Sequence, residues 1–190
     1  IDPGNNETST HETEVFITYY KTDLYVGFIA YADMKNLRSS IRNRDEGYQD
    51  DNVMIGIDTY GDGRYMISLG SNPEGNQLDM KFSSSGDTDS SYNVNFESKA
   101  SKHKNSYHVE LKIPFAVLQF NKADEMKWNV LLYRSTYTDA NRSQNINFPI
   151  DLNNPCLPCQ TKSNITLKNI ESKNRVSLLP YVFGGLSGAQ

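Results

Sequence analysis

Among the 190 residues, the side chains best equipped for chemistry are two cysteines, three histidines, a run of carboxylates and twelve tyrosines. Cys156 and Cys159 stand in Pro-Cys-Leu-Pro-Cys. A CxxC pair can be a redox dithiol, half of a zinc site or a small disulfide loop. Redox use wants a helix N-terminus, which lowers the thiol pKa, whereas this pair lies in an Asn/Pro-rich stretch. Zinc wants two further ligands, and His11, His103 and His108 show no paired spacing. The residues therefore rank a local structural disulfide first, free thiols or a bound metal second and redox catalysis last.

Carboxylates gather in Asp45-Glu46, Asp50-Asp51, Asp58 and Asp62. Hard oxygen ligands beside Gly and Asn are what calcium uses, which makes Asp50, Asp51, Asp58 and Asp62 the calcium candidates. The spacing of Asp58 and Asp62-Gly63 lacks the EF-hand pattern and its terminal Glu, and the residues rank a structural reading ahead of calcium: Asp58 and Asp62 cap a turn and the remaining carboxylates are solvated. Tyr48 and Tyr60 fall in loops and are expected to be the exposed aromatics, hence the candidate ligand-binding residues. Lys99, Lys102, His103 and Lys104 read as a solvated basic hairpin tip, and His108 as a surface residue on an alternating strand. There is no Gly-x-Ser-x-Gly and no Gly-rich phosphate loop before a helix. Carboxylates suited to a glycosidase pair are many, but spacing in sequence does not give their separation.

The elements that must position these residues are strands. Hairpins are expected over 14–31 and around Gly61-Asp62-Gly63, between runs at 53–58 and 64–70. Further strands are expected at 77–82, 92–98, 107–113 and 128–134, with 99–106 a loop. One helical turn is expected after Pro114, and at most a short helix around 34–42. Residues 135–165 are Asn/Pro-rich and poorly periodic. No amphipathic period runs for three turns, so the fold class is all-β: an antiparallel β-sandwich with little helix. The expected core is Val15, Ile17, Val26, Phe28, Ile55, Ile57, Met66, Val109, Leu111, Ile113, Trp128 and Val130.

A net charge of −4 and a pI near 5.4 exclude a general nucleic-acid footprint, and no apolar run approaches a membrane helix. A mean hydropathy of −0.63 with eight Phe and twelve Tyr reads as a soluble, aromatic-rich globular chain. The start at Ile1, without Met or a signal-peptide pattern, implies processing or a place within a longer chain.

The order of motifs carries a resemblance. Thr13-Glu14-Val15 and Leu24-Tyr25-Val26-Gly27 are followed by Arg44-Asp45, Asp50-Asp51-Asn52-Val53 and Ile57-Asp58-Thr59-Tyr60. Asn72-Pro73-x-Gly75-x-Gln77-x-Asp79 follows, then Glu110-Leu111-x-Ile113-Pro114-Phe115 and Trp128-Asn129. The series resembles the family 9 carbohydrate-binding-module-like domain found at the N-terminus of Bacteroidota outer-membrane proteins, ahead of a barrel-like domain of unknown function. Residues 10–135 carry most of the likeness, and Ser177–Val182 resembles the lead into the barrel.

The resemblance implies a single sandwich over 1–175, lacking the family's first strand, with 176–190 opening a linker or the barrel-like domain. It implies an extracytoplasmic, outer-membrane-associated setting, where Cys156 and Cys159 are expected to be joined. The family's paired-tryptophan sugar clamp has no counterpart, since Trp128 is the only Trp. The leading expectation is thus a non-catalytic module making contacts with other outer-membrane or surface proteins, or with its own C-terminal barrel. A carbohydrate-binding module recognising a glycan is the alternative, and a polysaccharide-acting enzyme domain comes third. No cofactor is expected beyond calcium.

Overall fold

The computed structural model describes residue 9, residues 11–138 and residues 141–171. Eleven strands lie in them: β1 (Thr13–Tyr20), β2 (Asp23–Tyr31), β3 (Asn52–Asp58), β4 (Tyr65–Ser71), β5 (Gln77–Ser83), β6 (Thr88–Asp89), β7 (Glu97–Lys102), β8 (Ser106–Pro114), β9 (Glu125–Thr138), β10 (Asn141–Ile146) and β11 (Ser163–Lys168). Helical structure among these residues is confined to three single 3-10 turns, at Gly47–Gln49, Phe115–Val117 and Pro158–Gln160.

Alternation builds the four-stranded sheet, ordered β1-β2-β8-β7 and antiparallel throughout. Every second residue of β2, from Leu24 to Ala30, is buried, as one covered face and one open face require. The seven-stranded sheet runs β10-β9-β3-β4-β5-β6. The long β9 takes β10 against its second half and β11 against its first half, with β3 on its other side. Between the two sheets lies the main core, with Val26, Phe28, Val109, Leu111 and Ile113 facing Ile55, Ile57, Leu69, Trp128 and Val130. Phe115 and Phe120 meet the Trp128 ring at centroid distances of 5.8 and 5.1 Å.

The all-β sandwich expected from the sequence is the observed architecture, and most strands fall where expected. Four local readings differ. The segment 34–42 holds no helix, because its backbone is committed elsewhere. Ser40 N–H donates to Asp50, Arg42 N–H to Asn76, and Asp51 N–H to the Arg38 carbonyl. Residues 99–102 are strand rather than loop, leaving 103–105 as the turn. Only Glu97 onward of 92–98 is strand, yet Val94 and Phe96 are buried as their alternation implies. Residues 135–165 are not structureless, since they contain the end of β9, β10 and the start of β11. In the expected core, Val15 and Ile17 are only partly buried, and Met66 is buried on the opposite face of its sheet. The apolar run at 176–184 lies outside the described residues.

A candidate ligand-binding cleft

The acidic residues that read as calcium ligands are drawn to separate duties. Asp58 caps the β3–β4 turn, accepting from the N–H groups of Tyr60, Gly61 and Gly63 at 3.2, 2.8 and 2.9 Å. Asp62 accepts from Arg64 N–H at 3.0 Å. Asp50 takes the Arg42 guanidinium at 3.3 Å and the Asn72 amide at 3.1 Å. Asp51 accepts from Tyr137 N–H at 2.7 Å. Among the described residues no three His, Cys, Asp or Glu side chains converge as metal ligands.

The Asn72–Asp79 motif is a structural clasp. Asn72 Oδ1 accepts from the N–H groups of Glu74 and Asn76, closing the β4–β5 turn, while its amide donates to the Ser40 carbonyl and Asp50. Asp79, fully buried, takes Arg44 at 2.8 Å and Val94 N–H at 2.7 Å. These bonds bind the 38–50 loop to the sheet and set Tyr48 at one end of its outer face. Tyr48 is half-buried, not the exposed loop aromatic expected. Its hydroxyl donates to the Asp79 carbonyl at 2.7 Å, and Tyr137 donates to the Tyr48 carbonyl at 2.7 Å. Burial raises the Tyr48 phenol pKa, reinforced by Asp45 and Asp79, so the group stays protonated.

Strand β3 is buried at every position, Asn52 to Asp58. One face meets the sandwich core, and segment 147–162 straps across the other. Phe148 anchors the strap against Met66 and Leu131. Asn147 Oδ1 accepts from Leu132 N–H at 2.9 Å, and the Gln160 amide donates to the Asp151 and Asn154 carbonyls at 3.1 and 3.0 Å. A Cys156–Cys159 disulfide staples its crest. The crest rests on two left-handed glycines whose missing side chains make room. A Cβ on Gly63 would lie 3.2 Å from Cys159 Cα, and one on Gly86 would lie 2.9 Å from Pro155 Cβ.

Between strap and sheet is a cleft of about 480 Å³. Its floor is apolar: Met54, Met80, Phe82 and Leu131. Neutral hydrogen-bonding groups ring it: Asn52, Ser68, Tyr133 and Gln144 from the strands, and Asn154 and Gln160 from the strap. Asn52 is 1% exposed; its amide donates to the Asp50 carbonyl at 2.9 Å, and its Oδ1 is buried without a partner. A buried acceptor left unpaired costs free energy and is commonly met by water or a ligand. Among the described lining residues Asp151 alone is charged.

The residues singled out in the sequence do not form one site. Tyr48 lines this cleft, whereas Tyr60, 52% exposed, lines a separate depression with Arg64, Tyr65 and Tyr92. Cys156 and Cys159 act on the cleft through the strap. Sequence reading missed Gln144, Asp151, Asn154 and Gln160, which sit in the aperiodic stretch. The available signal was Val53-Met-Ile-Gly-Ile57, an apolar run without alternation, which marks a strand covered on both faces.

No known family model matches the chain, and no curated protein sequence matches it. Solved structures do resemble it. A candidate carbohydrate-binding protein from Bacteroides uniformis aligns with a TM-score of 0.65 at 13% identity, over 83% of this chain and 78% of that one. A family 9 carbohydrate-binding module from Caldicellulosiruptor kristjanssonii, solved with cellotriose, aligns with a TM-score of 0.54 at 17% identity, over 92% and 83% of the two chains. A structure of such a module from the same organism with glucose gives 0.50 at 18% identity, over 91% and 82%. Identities this low establish the fold alone: a β-sandwich of the carbohydrate-binding-module type.

Proposed function

We propose that this chain is a non-catalytic carbohydrate-binding module whose cleft holds a neutral glycan. The observation that carries the reading is the cleft: an apolar floor ringed by neutral amides and hydroxyls. A sugar presents the complement, with apolar C–H faces and a rim of hydroxyls. The fold is shared with modules solved in complex with cellotriose and glucose, which favours a glycan over the protein contacts that led the sequence reading. A glycosidase needs two carboxyl groups roughly 5–10 Å apart. Asp151 is the single carboxylate among the described lining residues, which supports binding without hydrolysis. The outer-membrane, extracytoplasmic setting belongs to the same proposal; the disulfide supports it, because such bonds persist in oxidising compartments.

Titration calorimetry with glucose, cellotriose and a panel of other neutral oligosaccharides tests this. At least one is expected to bind with a sub-millimolar Kd. Gln144→Ala is expected to weaken it about tenfold, the worth of one lost hydrogen bond of roughly 1.4 kcal/mol. Absence of binding across the panel, or binding indifferent to Gln144→Ala and Tyr133→Ala, overturns the reading.

A further inference from the structure

The outer face of the four-stranded sheet has its own architecture, remote from the strap. Register places Phe16, Gly27, Glu110 and Lys99 in one row across the four strands, and Thr18, Tyr25, Lys112 and Glu97 in the next. Gly27 leaves a trough between an aromatic wall, Phe16 and Tyr25, and a charged wall on β8 and β7; the depression measures about 610 Å³. Phe16 is 57% exposed, although a strand position facing water needs no aromatic.

We infer that this trough is a second saccharide-binding surface, separate from the cleft, that takes a neutral polysaccharide chain. The charges decide the ligand class. Two glutamates face two lysines, with Lys112 paired to Glu97 at 3.0 Å, so the wall offers hydrogen bonds without net charge. A polyanion or an anionic lipid surface wants an excess of cations, which is lacking here. An added peptide strand would pair in the plane of the sheet at its edges, β1 and β7, whereas the trough lies on the face, over β2 and β8, which are paired on both sides. An amphipathic neutral chain fits both walls: its C–H faces lie on Phe16 and Tyr25, and its hydroxyls meet Glu110, Lys99 and Lys112.

Gly27 supplies a clean test. A Cβ there would meet only Phe16 Cβ, at 3.9 Å, an ordinary contact. The backbone therefore accepts a side chain at Gly27 without a Cβ clash, and Gly27→Leu, whose branched end projects into the open trough, is expected to keep a melting temperature near that of the wild type. Affinity electrophoresis in hydroxyethylcellulose, arabinoxylan, galactomannan and polygalacturonate would compare wild type, Gly27→Leu, Phe16→Ala and the cleft variant Tyr133→Ala/Gln144→Ala. At least one neutral polysaccharide is expected to retard the wild type and the cleft variant. Gly27→Leu and Phe16→Ala are expected to weaken that retardation tenfold or more, with oligosaccharide calorimetry at the cleft unchanged in Gly27→Leu. The inference is overturned if the cleft variant is not retarded by any neutral polysaccharide, if Gly27→Leu is retarded like wild type, or if polygalacturonate alone retards. Failure of the cleft reading would show separately, in the calorimetry.

Discussion

Asp51 illustrates how one residue's environment rewrites its chemistry. It is 1% exposed, and burial pushes its carboxyl up to about 6, against the Tyr137 N–H bond and the Arg134 and Arg38 guanidiniums. The unfolded chain releases this proton near pH 4, and the folded chain holds it to about 6. Stability from this group is therefore full below pH 4, falls as pH rises from 4 to 6, and is level above. Asp51→Asn removes the dependence while keeping an acceptor for Tyr137 N–H. Urea denaturation should show the variant gaining on the wild type by on the order of 2–3 kcal/mol between pH 4 and pH 7. Equal differences at both pH values would assign Asp51 an ordinary pKa.

At the scale of the element, the strap decides whether the cleft exists. Its disulfide closes a loop so short that the bond adds only about 1–2 kcal/mol to global stability. Its local role is larger, since it fixes the crest bearing Leu157 and Gln160 over the floor. Cys156→Ser/Cys159→Ser is expected to fold with a modestly lowered melting temperature. Amide exchange should accelerate across 150–161 while β2 and β8 keep their protection, and glycan affinity at the cleft should fall more than stability does. Uniformly faster exchange across the sandwich would mean that the staple supports the whole fold and not the strap alone.

The described residues form two sheets held by a main core between them, and Trp128, 1% exposed, is the largest of the fully buried side chains. Its indole N–H is buried without a partner, so the ring contributes volume and edge-to-face contacts with Phe115 rather than a hydrogen bond. Trp128→Ala should cost roughly 3–5 kcal/mol. Trp128→Phe should cost clearly less than Trp128→Ala, because the smaller ring leaves only a small cavity and removes the orphaned donor. Fluorescence of this single tryptophan should be blue-shifted and insensitive to acrylamide. An emission like that of free indole would place the ring at the surface.

Local patterns were enough for the sandwich. Alternation in β2 and β8, the Gly-Asp-Gly turn and the Pro-initiated 3-10 turn at Phe115 each follow from short-range sterics and burial period, which a chain carries wherever it goes. The disulfide followed from Pro-Cys-Leu-Pro-Cys together with the setting that the family resemblance implies. The cleft did not follow. Asn52, Tyr133, Gln144 and Asn154 are ordinary polar residues spread over a hundred positions, and only the pairing of β9 with β3 and β10, and the strap laid across them, bring them together. The same holds for the aspartates. Asp50, Asp51, Asp58 and Asp62 crowd in sequence, but strand direction and turn geometry send each carboxylate to a different partner. Contact across sheets and between distant loops is set by packing of the whole, so no window of the sequence encodes it.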